Sequence, residues 1–310
     1  MPEPSYLARH ETGVLQERIS QALDLLSECR LCPRRCGVDR TRGETGFCAT
    51  GRYAKMASFG QHFGEEAPLV GWNGSGTIFF SSCNLLCTFC QNYDISHLGS
   101  GKEVFPSDLA SAMVSLSRSG VHNINFVTPS HVVPQILEAL PGAIEQGLRI
   151  PLVFNTGAYD LVPTLHLLEG IFDLYMPDCK FWDESYAEKF CSAPDYCDVA
   201  REALKEMHRQ VGDLTIGDDG IAIRGLLVRH LVMPGGIAGT EQVMEFLARE
   251  LSKGTYVNVM DQYRPCYRAH DDPLLDRRIT REEYLEAVES AREAGLSRFD
   301  GHTSVRIRMF

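Results

Sequence analysis

The sequence predicts an α/β protein made mostly of parallel β/α units, with a small cysteine-rich module ahead of them. Three observations carry this. Six short apolar runs recur through residues 77–260, and helical patterns lie between them. The runs are nearly continuous rather than alternating, as in strands covered on both faces. Four cysteines crowd among turn formers in CRLCPRRCGVDRTRGETGFC, a stretch too loop-rich to build a core of its own.

Length and composition fit this class. With 310 residues and 44% apolar content the chain can bury a sizeable core. Thirty basic against 41 acidic residues give a net charge of −11. That balance disfavours non-specific binding to nucleic acid or to anionic membranes. No apolar run reaches the roughly 18 residues of a membrane span. The opening MPEPSYLARHETG has no apolar h-region, so a signal peptide is not expected and the expected compartment is cytoplasmic. In that setting 11 cysteines point to metal ligation before disulfides.

The elements follow in order. Leu15, Ile19, Leu23 and Leu26 share one side of a helix over Val14–Glu28. Strands are expected at Thr77–Ser81, Ile124–Thr128, Leu152–Asn155, Phe172–Met176, Leu226–Met233 and Tyr256–Met260. Helices are expected at Asp108–Ser119, Val132–Leu140, Leu161–Glu169, Tyr186–Gln210 (long enough for two) and Glu241–Ser252. Thr280 and Glu283 form a capping box, Gly295 a stop, and Val305–Met309 a last strand. Six such units suit a curved partial barrel, although their number alone does not separate it from a doubly wound sheet. The expected organisation is residues 1–75 as an N-terminal helix and cysteine module, 76–265 as the barrel, and 266–310 as a C-terminal extension.

The strongest chemical signal is CNLLCTFC. Cys83, Cys87 and Cys90 sit on one compact loop directly after the strand TIFFS. Three thiolates there suit three irons of a [4Fe–4S] cube and leave the fourth iron open to an outside ligand. The competing reading of the spacing is a zinc knuckle. Cys29, Cys32, Cys36 and Cys48 are a candidate second metal site. Four thiolates satisfy one structural zinc or a second iron–sulfur cluster, and spacing does not choose between them. Asp178 and Lys180, two apart at a strand end, present an acceptor and a cation together. Arg229 offers a fork that lysine lacks. Cys179 reads as a buried small residue, and the carboxylates of Gly64–Glu66 as salt-bridged groups at the bottom or rim.

The CxxxCxxC spacing, with Phe89 before the last cysteine, resembles the radical S-adenosylmethionine (SAM) superfamily. CQN at 90–92, DCK at 178–180, VRHLVMPG at 228–235 and MDQYRP at 260–265 resemble the branch of pyruvate formate-lyase activating enzyme. The whole pattern is most similar to the PflX-type homologues of that enzyme. The resemblance covers about residues 76–265 and implies a partial (β/α)6 radical-SAM barrel. It implies a [4Fe–4S] cluster on Cys83, Cys87 and Cys90, with SAM on the open iron. Reductive cleavage then gives a 5'-deoxyadenosyl radical that abstracts hydrogen from a substrate. Asn155, Asp178, Lys180, Arg229 and Gln262 stand at cofactor-contacting positions. Thr128 stands where the branch usually carries a Gly-Gly-Glu, so a hydroxyl or carbonyl takes the place of that glutamate.

The implied partners are a reducing protein such as flavodoxin or ferredoxin, and a protein or small-molecule substrate that the sequence does not name. Activation of a glycyl-radical enzyme is the narrower alternative. A non-catalytic, metal-stabilised interaction protein is the alternative of another class.

Overall fold

The computed structural model describes residues 2–300. Its frame is one sheet dominated by parallel pairing. Strands β1 (Ala54–His62), β2 (Ser75–Phe80) and β3 (Lys102–Val104) lie at one edge, where β1 pairs antiparallel with both of the others. From β2 the sheet continues through β4 (Ile124–Val127), β5 (Leu152–Thr156), β6 (Leu174–Pro177), β8 (Ala222–Leu231) and β9 (Tyr256–Met260). Each of these neighbours is parallel. Short β10 (Arg298–Phe299) adds parallel to β9, and β7 (Thr215–Ile216) pairs antiparallel with β8. The parallel strands therefore run in chain order with no reversal, whereas a doubly wound sheet reverses at a switch point.

Their inward residues make the core. Phe80, Phe126, Phe154 and Tyr175 come from successive strands and are almost wholly buried. They meet one another and Phe172 at ring separations of 5.1 to 6.3 Å. Removing one such ring from a packed core costs about 3–5 kcal/mol. Helix Pro106–Arg118 starts on a proline whose missing N–H is no loss there, and Asp108 accepts from the Phe105 N–H at 2.9 Å.

Several expectations need adjusting. The long helical stretch is two helices, Glu184–Cys191 and Tyr196–Val211, broken at Ser192 in the left-handed region. The helix expected to stop at Leu140 runs from Val133 to Glu145 through Pro141, because one lost backbone bond does not outweigh a mostly buried face. Strand Ala54–His62 was not expected: it is only partly buried and lacks a clean alternation. Thr280 and Glu283 form the expected cap of helix Arg281–Glu293. The expected strand at Val305–Met309 lies outside the described residues. No helix among the described residues is long and apolar enough to cross a membrane.

Candidate functional site

The loop after β2 carries Cys83, Cys87 and Cys90 and is tied down at several points. Ser82 and Leu86 take positive φ, 73° and 53°, to turn the chain tightly. The Ser82 N–H donates to Ile95 O, the Thr88 N–H to Phe190 O, and the Cys90 N–H to Cys87 O, at 2.9, 2.9 and 3.1 Å. Each of the three sulfurs accepts at least one hydrogen bond. The Leu85 N–H donates to Cys83 at 3.3 Å, the Ser96 hydroxyl to Cys90 at 3.2 Å, and the Cys191 thiol to Cys87 at 3.3 Å. Burial pushes the Cys83 thiol up to about 12, and Cys87 and Cys90 also lie above the ordinary thiol value. For Cys87 the leading cause is the bond to Cys191.

All three cysteines open into one cavity of about 410 Å³. Thr128, Asn155, Asp178, Lys180, Arg229 and Gln262 line the same cavity, so the structure brings these six together. They arrive from different strands. Thr128 follows β4, Asn155 is the last residue but one of β5, Asp178 and Lys180 follow β6, Arg229 lies in β8, and Gln262 follows β9. Leu85, Leu86, Phe89, Phe80, Leu231 and Met260 supply apolar walls.

A charged network crosses the floor. Arg229 Nε donates to Asp178 Oδ1 at 2.7 Å and its Nη2 to Asn155 Oδ1 at 3.0 Å. Lys180 Nζ donates to Asp178 Oδ2 at 2.6 Å. Burial alone would raise the Asp178 carboxyl, but Arg229 and Lys180 outweigh it and hold the group at about 2. Burial pulls Lys180 down, and Asp178 more than reverses this. The positive charge of Lys180 also favours the thiolates of Cys87 and Cys90.

Other residues sort themselves. His230 is wholly engaged by Cys179 O and Thr240, and Tyr263 donates to Leu275 O at 2.8 Å. Cys179 is buried, as expected, with its thiol pushed up to about 12 by burial. Sequence reasoning missed Glu65 as a cavity residue: it lines the cavity and faces Arg229 Nη1 at 3.6 Å. It also missed Cys191, whose contact with Cys87 joins positions 104 residues apart. The GEE triplet was visible, but no local pattern shows which distant residue faces it in the fold.

Four further cysteines, Cys29, Cys32, Cys36 and Cys48, line a separate small cavity with Arg40 and His131. Among the described residues no three His, Cys, Asp or Glu side chains stand at the spacing of a single bound ion.

No family model matches the chain. One solved structure, a domain of pyruvate-formate lyase-activating enzyme from Bacteroides vulgatus, is similar at a TM-score of 0.36 and 14% identity. That likeness spans 63% of this chain and 89% of that one, and is too distant to carry a conclusion. The uncharacterized protein MJ0674 of Methanocaldococcus jannaschii is 34% identical over 292 residues, which is 92% of this chain and 80% of that protein. Identity of that level over nearly the whole length places the chain in one family with MJ0674.

Proposed function

We propose that the chain is a radical SAM enzyme on a partial (β/α)6 barrel, with Cys83, Cys87 and Cys90 holding a [4Fe–4S] cluster. The observation that carries this is the convergence of the CxxxCxxC loop and the ends of the parallel strands on one cavity. The donor set fits such a group. The ligands are soft thiols, each sulfur already accepts at least one hydrogen bond, and Lys180 is the adjacent cation.

When bound, the cluster and SAM supply one-electron reduction and hydrogen-atom abstraction. The chain's own residues supply the setting. Lys180 uses one of its three donors on Asp178 and has others for a ligand carboxylate. Asp178 and Asn155 hold the Arg229 guanidinium in a fixed plane before any ligand arrives. Thr128 offers a hydroxyl and a backbone carbonyl at the position where an amino group needs acceptors. The leucine and phenylalanine walls exclude water from a reactive centre. An external one-electron donor, such as a flavodoxin or ferredoxin, completes the scheme.

The test is anaerobic reconstitution with iron and sulfide, then incubation with dithionite and SAM. Formation of 5'-deoxyadenosine by the wild type, and none by a C83A/C87A/C90A variant, is the expected result. A fully reconstituted wild type that leaves SAM intact contradicts the proposal.

A further inference from the structure

Among the cysteines that this scheme does not use, four lie close together in the N-terminal stretch. Cys29, Cys32 and Cys36 are drawn together by a tight loop. The Cys29 N–H donates to Val38 O at 2.9 Å, the Gly37 N–H to Cys29 O at 3.0 Å, and the Arg35 N–H to Cys32 O at 3.0 Å. Cys48 arrives from the far side of Gly46. A Cβ at residue 46 would lie 2.6 Å from both Cβ and Sγ of Cys36, so only glycine lets the two segments close. The Phe47 N–H donates to Cys36 Sγ at 3.3 Å.

Arg40 is the second, independent observation. It is 1% exposed, yet no carboxylate lies within ion-pair distance of it among the described residues. Its Nε donates to Gly51 O at 3.0 Å and its Nη1 to His131 O at 2.9 Å, with Cys29 Sγ 3.9 Å away. Its Nη2 has no partner, and neither has Nδ1 of His131, which lines the same cavity. A buried guanidinium without a counter-charge is costly. The groups around it able to carry negative charge are the four cysteines.

We propose that Cys29, Cys32, Cys36 and Cys48 bind a second metal centre, thiolate-held and separate from the central loop, whose negative charge Arg40 offsets. Each thiol releases its proton to solvent on binding. The four thiols surround the cavity without yet standing at single-ion spacing, so binding draws them inward by rotation about Cα–Cβ. The chemistry selects a thiophilic group, either one zinc or an iron–sulfur cluster. The centre lies directly behind the central loop. Asn84, between Cys83 and Leu85, has its side chain in hydrogen-bond contact with Cys32 and its carbonyl accepts from Arg34 Nε at 2.9 Å. The second centre thus anchors the loop that carries the first.

The test uses the full-length C83A/C87A/C90A protein, which lacks the central ligands and so is blind to the proposed activity. Zinc, iron and acid-labile sulfide are measured per chain after anaerobic purification. Bound zinc near one per chain, or iron with matching sulfide, supports the proposal and identifies the group. Adding C36S and C48S should abolish it. Metal-free triple-alanine protein, or metal retained after C36S and C48S, overturns the proposal. A thiol count guards against misfolding of the larger variant: stripping metal from the triple-alanine protein with a chelator should expose the four N-terminal thiols to a thiol reagent. No change in reactive thiols on chelation also overturns it.

Discussion

Asp178 and Arg229 are joined twice across the sheet. Their backbones form a parallel bridge beyond the regular β6–β8 pairing, and their side chains meet at 2.7 Å. The bridge sets the register, and the ion pair then fixes where the guanidinium points. With side-chain exposures of 15% and 19%, solvent does not relieve either charge if the other is lost.

Removing Asp178 therefore leaves Lys180 without its ion-pair partner and Arg229 with only the longer contact to Glu65, at 3.6 Å. Asp178→Ala is expected to cost about 3–5 kcal/mol of stability. Arg229→Lys keeps the charge but cannot reach both Asp178 and Asn155, so its cost should be smaller, about 1.5–3 kcal/mol. Urea denaturation of the two variants checks the order. Equal losses would mean that the fork geometry contributes nothing.

Asp160 gives the chain a pH-dependent stability of opposite sign to Asp178. Burial raises its carboxyl from 3.8 to about 6, despite hydrogen bonds from Thr156 and Ser130. Below 3.8 both the folded and unfolded chains keep this proton. Between 3.8 and about 6 the unfolded chain loses it first, so stability falls as pH rises through that window. Asp178, held at about 2, does the reverse: its contribution is present above 3.8 and is lost as pH falls toward 2. Asp160→Asn should flatten the decline and raise the urea midpoint at neutral pH. Midpoints measured from about pH 4 to about pH 7 test this, and an unchanged slope refutes it.

Thr128 lies at the cavity wall with φ of 60°, a conformation that a β-branched residue adopts only under strain. Thr128→Gly should release it, leaving stability unchanged or raised by up to about 1 kcal/mol. The same change removes the hydroxyl that the proposed function assigns to SAM, and on that proposal it should weaken SAM binding. Calorimetric titration beside thermal melts separates the two effects. A clear loss of stability would show that Thr128 is packed rather than strained.

Gly46 tests the N-terminal centre without touching a cysteine. Its φ is ordinary, so Gly46→Ala adds no backbone strain, only a methyl group 2.6 Å from the Cys36 sulfur. Metal content in the C83A/C87A/C90A background should fall to near zero, as in the C36S and C48S variant. Retention of full metal would show that Cys36 is not a ligand.

Much of this was legible before any coordinates. The Tyr256–Met260 strand matches its expected bounds, and the other five core strands differ by a few residues, because runs buried on both faces announce themselves in composition. Thr128, Asn155, Arg229 and Gln262 were singled out by the family resemblance, and they line one cavity because parallel strands deliver their ends to one place whatever their separation in sequence. The rest depended on long-range geometry. Ala54–His62 hides because it is mostly only half-buried, near the sheet edge, with no clean alternation. Glu65 reaches Arg229, and Cys191 reaches Cys87, through folding alone, and neither contact leaves a local spacing. Arg40 stands in an arginine-rich stretch with no local pattern that marks it as buried, yet the fold buries it among the cysteines and carbonyls.

The central claim, that the loop of Cys83, Cys87 and Cys90 holds a cluster open to SAM, is tested most directly by EPR of the reconstituted, dithionite-reduced protein with and without SAM. The account predicts a cluster signal that changes when SAM is added and whose SAM-sensitive component is missing from the C83A/C87A/C90A protein. A fully reconstituted protein whose spectrum ignores SAM, or a spectrum identical in the triple-alanine protein, would contradict it.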